Sequence, residues 1–342
     1  MTTPPPDTIV LVHGLWVTPR SWEDWITYYQ DKGYRVIAPA YPGFEVEVES
    51  LRENSDVIAD LTVPATVDHL AGIIRALPSP PIIMGHSFGG VLTQLLVDRG
   101  LGAAAVAINS APTEGVRTQP LSQVKSLFPI LKRFSNRHKA AGFTPKEWHY
   151  AFTNTLSDED SRAVYDRYAI AAPGSWVWKY GVFANLTPGH QETWVDYRRD
   201  DRAPLLFIAG GADHIMPPAV NKSNAKKYRR SKALTEYYEF PGRSHWTCGE
   251  RGGRRSPTTR SGGRRSTPRG ERCRREHKRH PRSLRSARSL RRARQSCSLR
   301  SARSLRRARQ SCSLRSARSL RRARHEGSGD RVRRAPERCH SH

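Results

Sequence analysis

The sequence predicts an α/β fold: a mostly parallel central sheet flanked by helices, with a helical cap insertion and a disordered basic C-terminal tail. Three observations carry this reading. Short β-branched and apolar runs alternate with helical segments of ten or more residues, the pattern of βαβ units whose sheet is covered on both faces. The alternation breaks once, over residues 113–201, a stretch rich in Trp and Tyr, mostly helical in period and interrupted by Pro-Gly pairs. The charge is also segregated. Residues 249–342 hold 32 Lys+Arg and 6 Asp+Glu, whereas the rest of the chain holds 26 and 25. A net charge of +27 over 342 residues resembles a nucleic-acid-binding signature, yet the body is nearly neutral.

Residues 8–12 form a buried strand that delivers the turn His13-Gly14. Residues 21–32 form a helix with Trp22, Trp25 and Tyr29 at spacings of three and four, and Gly33 in the helix-stop position. A second strand spans residues 35–40 and ends at the Tyr41-Pro42-Gly43 turn; an amphipathic helix spans 67–77 and stops at Pro78. Residues 81–85 are a third strand, 88–99 a helix and 103–109 a fourth strand. After the insertion, strands at 204–210 and 234–240 flank a helix near 219–228. The domain reading is a core of residues 8–112 and 202–248, a cap over 113–201, and a tail over 249–342. An insertion between two sheet strands is expected over the sheet's C-terminal edge, where open α/β folds bind ligands.

Gly85-His86-Ser87-Phe88-Gly89 fits G-x-S-x-G. The bare pattern arises by chance in about one chain in ten of this length. Here it follows an apolar strand and opens a helix, the context in which it forms a nucleophile elbow. Gly85 and Gly89 are required because the turn is too tight for side chains. The turn forces Ser87 into a strained conformation that lifts its hydroxyl clear of the sheet. The helix from Phe88 points its positive end at the site, which favours an anionic intermediate.

In these motifs the sequence resembles the α/β-hydrolase family, serine esterases and lipases among them, over about residues 8–248. His13-Gly14-Leu15-Trp16 sits after the first strand, Ser87 in the elbow, Gly210-Gly211-Ala212-Asp213 after a later strand, and Gly242-Arg243-Ser244-His245 after the last. The chain order Ser, Asp, His is that of this fold. The resemblance implies a triad of Ser87, Asp213 and His245, with the backbone N–H groups of Leu15 and Phe88 as the oxyanion hole. A serine hydroxyl is a poor nucleophile at neutral pH, so His245 must accept its proton and return it to the leaving group. Asp213 fixes the tautomer and stabilises the charged ring.

Other residues have plainer readings. His214 beside Asp213 is expected to face solvent or support the site. Asp201 precedes its strand rather than following it, so it is not the acid. His13 and His86 are expected to pack around their turns. His69, His138, His149 and His190 lack ligand-like partners three or four residues away, so no metal site is expected. No phosphate loop or dinucleotide fingerprint is present, and no cofactor is called for. Trp148, Trp176, Trp178 and Trp194 in the insertion are candidates for an apolar acyl pocket or for simple burial of the cap.

The N-terminus lacks the basic start and apolar run of a signal peptide, no stretch approaches the ~20 apolar residues of a membrane span, and only Cys248 of five cysteines lies in the body. A cytoplasmic protein is expected. The tail contains two identical fifteen-residue copies, 283–297 and 298–312, and most of a third. It has too few large apolar residues to offset chain entropy. It reads either as an Arg-rich segment for nucleic acid or anionic lipid or as an out-of-frame translation. One choice of codons for residues 250–263, shifted by a single inserted base, encodes an amphipathic helix of the kind the family carries after its histidine. The out-of-frame reading is preferred, and no obligate nucleic acid is expected. The functional expectation is a cofactor-independent serine hydrolase cleaving a carboxylic ester, thioester or amide of moderately apolar character, a small molecule. Alternatives are perhydrolysis or another acyl transfer on the same triad, a non-catalytic ligand-binding protein, or a nucleic-acid-associated protein using the tail.

Overall fold

A computed structural model of the chain describes residues 5–183 and 189–250. The expectations for the tail beyond Glu250, including its out-of-frame origin, lie outside the described residues.

The chain begins with β1 (Thr8–Val12), a 3-10 turn and α1 (Glu23–Gln30), β2 (Arg35–Ile37), α2 (Val48–Glu53) and α3 (Val63–Arg75). Next come β3 (Ile82–His86), α4 (Phe88–Asp98) and β4 (Ala104–Ile108). The insertion holds α5 (Leu121–Leu131), β5 (Ala140–Ala141), α6 (Pro145–Phe152), α7 (Asp158–Tyr168), β6 (Ala172–Pro173), α8 (Gly174–Trp176) and a π-helical turn, Val177–Phe183. The chain then returns through β7 (Leu205–Gly210), α9 (Pro218–Lys227) and β8 (Thr235–Phe240). Six strands pair in the order β2-β1-β3-β4-β7-β8, every pair parallel. The strand order reverses between β1 and β3, so their C-terminal ends, His13-Gly14 and His86-Ser87, flank the crevice where such sheets bind ligands.

The six strands expected of the sheet all form. β2 ends at Ile37 rather than at residue 40, because Pro39 has no N–H to give a ladder. α3 starts four residues before the expected position. Thr62 accepts a hydrogen bond from the Ala65 amide at 3.3 Å and Pro64 occupies the first turn, a start signal that the apolar periodicity from residue 67 overshadowed. The short antiparallel pair β5–β6 was not expected; two-residue strands carry no period to read.

Register places Gly85, Ala107 and Phe207 on one face of the sheet and His86, Ile108 and Ile208 on the other. α4 lies against the first face at Gly85, and Phe207 meets Tyr228, just after α9, at 6.0 Å. On the second face Trp22, at the start of α1, meets His86 at 6.4 Å. The two faces of β7 and β8 are covered unequally. Leu205 and Phe207 are buried, whereas Leu206 and Ile208 are half-buried and Tyr238 is 37% exposed. Among the described residues no helix follows β8 to cover this strip, and none is long and apolar enough to cross a membrane.

α6 carries the insertion's core. A capping box of Thr144 and Glu147 starts it, and Trp148, Ala151 and Phe152 turn inward at spacings of three and four. Trp148 is fully buried and stacks on Phe152 at 4.0 Å. Trp148→Ala is expected to cost about 3–5 kcal/mol, read as a lower denaturant midpoint with an unchanged slope.

Candidate active site

The approach of three chain segments fixes the site. A Cβ on Gly85 would lie 2.0 Å from the Gly89 carbonyl oxygen, and one on Gly89 would lie 2.3 Å from that of Val12. Only glycine permits α4 to sit so close to β1 and β3. Between them Ser87 adopts φ 56°, ψ −121°, a region costly for a side-chain-bearing residue. The strain is held by hydrogen bonds: the Ser87 amide donates to the Ile108 carbonyl at 2.9 Å, and its own carbonyl accepts from Gly90 and Ala111 at 2.9 and 3.0 Å. Phe88 is the first residue of α4, so its N–H is one of the four helical donors without an intrahelical acceptor. A Cβ on Gly14 would lie 2.8 Å from Cβ of Ser87, so the turn that carries Leu15 abuts the serine.

Asp213 and His245 are brought together from the loops after β7 and β8. His245 Nδ1 lies 2.7 Å from Asp213 Oδ2, both side chains fully buried. Asp213 Oδ1 accepts from the Ile215 and Met216 amides at 2.9 and 2.8 Å. The carboxylate is therefore an acceptor on both oxygens and Nδ1 is the donor, which in the neutral ring makes Nε2 the acceptor. Nε2 is buried and has no partner within hydrogen-bond distance, so the Ser87 hydroxyl is not bonded to it in this form. Such bonds are often long in unliganded enzymes. The imidazole stands over the elbow, its ring 4.6 Å from that of His86. Phe152 from α6 meets its far side edge-on at 4.8 Å, and the Trp246 amide donates to the Phe152 carbonyl at 2.9 Å.

Ser87, Leu15, Phe88, Leu127, Trp176, Val177, Tyr180 and Met216 are among the residues that line an apolar cavity of about 20 Å³. Of the four tryptophans considered for an acyl pocket, Trp176 alone lines it. Trp148 is buried behind Phe152, Trp178 lines an outer cleft beyond Trp176 and Tyr180, and Trp194 is 39% exposed beside His190. Trp176 is anchored by its indole N–H to the Leu61 carbonyl at 2.6 Å.

The remaining candidates fall into place. Asp201 is on the surface, 2.8 Å from Arg199. His214 is half-buried, with Nδ1 2.9 Å from the Tyr150 carbonyl. His13 stacks on Tyr41 at 3.7 Å. His86 does more than pack, because its Nε2 donates to the His245 carbonyl at 2.8 Å. Sequence reasoning missed this contact, and it missed Asn109 and Phe152. Asn109 had a signal, a polar residue directly after an apolar strand at the sheet's C-terminal edge. Among the described residues no group of three or more His, Cys, Asp or Glu gathers as metal ligands.

Ser87→Gly relieves the backbone strain and Ser87→Ala keeps it, so the glycine variant is expected to be the more stable by about 1–3 kcal/mol. This reverses the usual order and is measurable by parallel denaturation. Burial lowers the pKa of His13 from 6.5 to about 4. Because the unfolded chain protonates this ring at a higher pH than the folded one, its stability contribution is complete above about pH 6.5 and declines as pH falls toward 4. Burial also holds His86 well below its ordinary value, with the same sign. Denaturation midpoints are expected to fall from pH 7 to pH 5, and His13→Gln to flatten that slope.

Compared with solved structures, the fold is similar to that of an extracellular alpha/beta-hydrolase from a Paenibacillus species. The two are 18% identical with a TM-score of 0.52 over 71% of this chain and 92% of that one; that protein is described as sharing structural and functional homology with tobacco salicylic acid binding protein 2. It is also similar to BpoC of Mycobacterium tuberculosis, a putative non-heme bromoperoxidase, at 19% identity and TM-score 0.51 over 72% and 87% of the two chains. At these identities the likeness concerns the fold. No curated protein matches the sequence at a significant level. Residues 9–254 match the model of the Alpha/beta hydrolase family, and the chain therefore belongs to that family, as its motifs implied.

Proposed function

We propose that the protein is a serine hydrolase that cleaves a carboxylic ester, or a related thioester or amide, through an acyl-enzyme on Ser87. The observation that carries the reading is the buried Asp213–His245 pair with an unpartnered Nε2, its ring packed on His86 next to the strained Ser87 that lines an apolar cavity. In the first half-reaction Ser87 Oγ attacks the carbonyl carbon as His245 Nε2 takes its proton. The oxygen acquires negative charge facing the N–H groups of Phe88 and Leu15, a pair whose donors are typically worth about 3–4 kcal/mol each in the transition state. Collapse expels the alcohol, which receives the proton from His245. Water, deprotonated by the same nitrogen, then attacks the acyl-enzyme and releases the acid and the serine.

The lining of Leu15, Phe88, Leu127, Trp176, Val177 and Met216 favours an apolar acyl group. A volume of about 20 Å³ admits a water but no acyl chain, so binding requires displacement of lining side chains. Trp176 and Tyr180 also border the outer cleft, which makes them the partition between the cavity and the surface. A small reactive ester, such as a nitrophenyl acetate or butyrate, is the first substrate to test. Wild type is expected to show a burst equal to one acyl-enzyme per chain when deacylation is slow. Ser87→Ala is expected to lose the burst and turnover, and Asp213→Asn to lower kcat by about 10²–10⁴. Undiminished hydrolysis by the folded Ser87→Ala protein would refute the reading.

A further inference from the structure

We infer that Asn109 is a positioning residue that ties the loop of Asp213 to the loop of His245. It sits at the C-terminal end of β4, fully buried, with φ 45°. This left-handed backbone turns its side chain under both loops. Asn is among the few non-glycine residues that tolerate such a conformation.

The contacts run to both sides. Asn109 Oδ1 accepts the Gly210 amide at 2.6 Å, at the root of the loop that carries Asp213. Asn109 Nδ2 faces the Ser244 and His245 carbonyls at 3.2 and 3.1 Å and the Thr247 hydroxyl at 3.0 Å. The amide orientation is not arbitrary. The Gly210 N–H can only donate and the two carbonyls can only accept, so oxygen must face the first and nitrogen the others. The main chain fixes the base of the bridge, with the Asn109 amide donating to the Ile208 carbonyl at 2.7 Å.

A single side chain thus spans two loops whose bases are already in contact, since a Cβ on Gly210 would lie 2.6 Å from the Ser244 carbonyl oxygen. The His245 carbonyl receives a second donor, His86 Nε2 at 2.8 Å. Two buried donors, one from the end of β3 and one from the end of β4, therefore hold the backbone from which the imidazole projects. The Asp213–His245 distance depends on both loops at once; main-chain bonds join them at Gly211–Phe240 and Ala212–Arg243, both 2.8 Å, and Asn109 adds a side chain from outside the two loops that bonds each of them. Loss of its amide removes the tie nearest the imidazole, at the Ser244 and His245 carbonyls, and loosens the His245 end of the loop against the loop of Asp213. A misplacement of about 1 Å at a catalytic group can cost a hundredfold in rate.

The inference rests on the proposed hydrolase reading for its kinetic arm, and a spectroscopic arm tests it independently. Asn109→Ala removes the bridge; Asn109→Asp keeps an oxygen for the Gly210 amide and removes the donor, and serves if the first variant folds poorly. Turnover is measured per active site titrated with a fluorophosphonate, which removes any loss of folded protein from the result. The proton between His245 Nδ1 and Asp213 Oδ2 is observed in the far-downfield proton spectrum, assigned by its absence in His245→Gln. The expected result is a fall in kcat per titrated site of about tenfold to a hundredfold, KM within about twofold, and loss or displacement of the downfield resonance. Unchanged turnover per site together with an unchanged resonance would overturn the positioning role. If wild type hydrolyses no ester yet the resonance responds to Asn109, the positioning role stands and the hydrolase reading fails.

Discussion

Gly89 brings α4 so near to β1 that a methyl group there would lie 2.3 Å from the Val12 carbonyl oxygen, and one on Gly85 would lie 2.0 Å from that of Gly89. This close approach is steric and local, and the site is built on it. It sets the sharpness of the turn between β3 and α4, and the turn sets the strained conformation of Ser87. It also holds the start of α4 and the Gly14-Leu15 turn against the serine. The sheet order, reversing between β1 and β3, supplies the crevice into which these groups open.

The site concentrates unfavourable features that the surrounding packing offsets. A serine in a costly backbone conformation, three buried imidazoles (His13, His86 and His245) and a buried carboxylate all work against folding. His13, His86 and Asp213 each bond the main chain and His245 bonds Asp213, while Nε2 of His13 and of His245 stay without partners and large apolar side chains enclose the group. Trp148 and Phe152 stack within the insertion, and Phe152 packs directly on His245. α6 therefore packs directly on the Asp213–His245 pair through Phe152. The wall formed by Trp176, Val177 and Tyr180 is different. Trp176 and Tyr180 line both the inner cavity and the outer cleft, and Val177 lines the cavity.

Much of this was legible in the sequence because the signals were local. An apolar strand followed by a glycine-framed serine needs no knowledge of distant partners, and the loops of Asp213 and His245 likewise follow recognisable strands. The start of α3 was legible too, in Thr62 and Pro64, but a stronger apolar period three residues later masked it. What escaped depends on contacts between residues far apart. Asn109 lies 101 residues from Gly210 and 136 from His245, and no spacing rule joins them. His86 was read as turn packing because its partner is a backbone carbonyl, which every residue possesses. The tryptophans of the insertion were indistinguishable by composition, and only the fold separates Trp176 at the cavity from Trp148 behind it. Leu206, Ile208 and Tyr238 form a half-covered strip among the described residues, whereas the out-of-frame reading of the tail comes from the helix that the family carries after its histidine.

The central claim, that Ser87 is a nucleophile activated by His245, is tested most directly by locating a covalent label. A fluorophosphonate loses fluoride as a serine oxygen bonds to phosphorus, and the adduct survives proteolysis and peptide mass measurement. The account predicts one adduct per chain, on Ser87, with labelling abolished in Ser87→Ala and strongly slowed in folded His245→Ala. A folded wild-type protein that takes no label, or takes it at another residue with Ser87 unmodified, would contradict it.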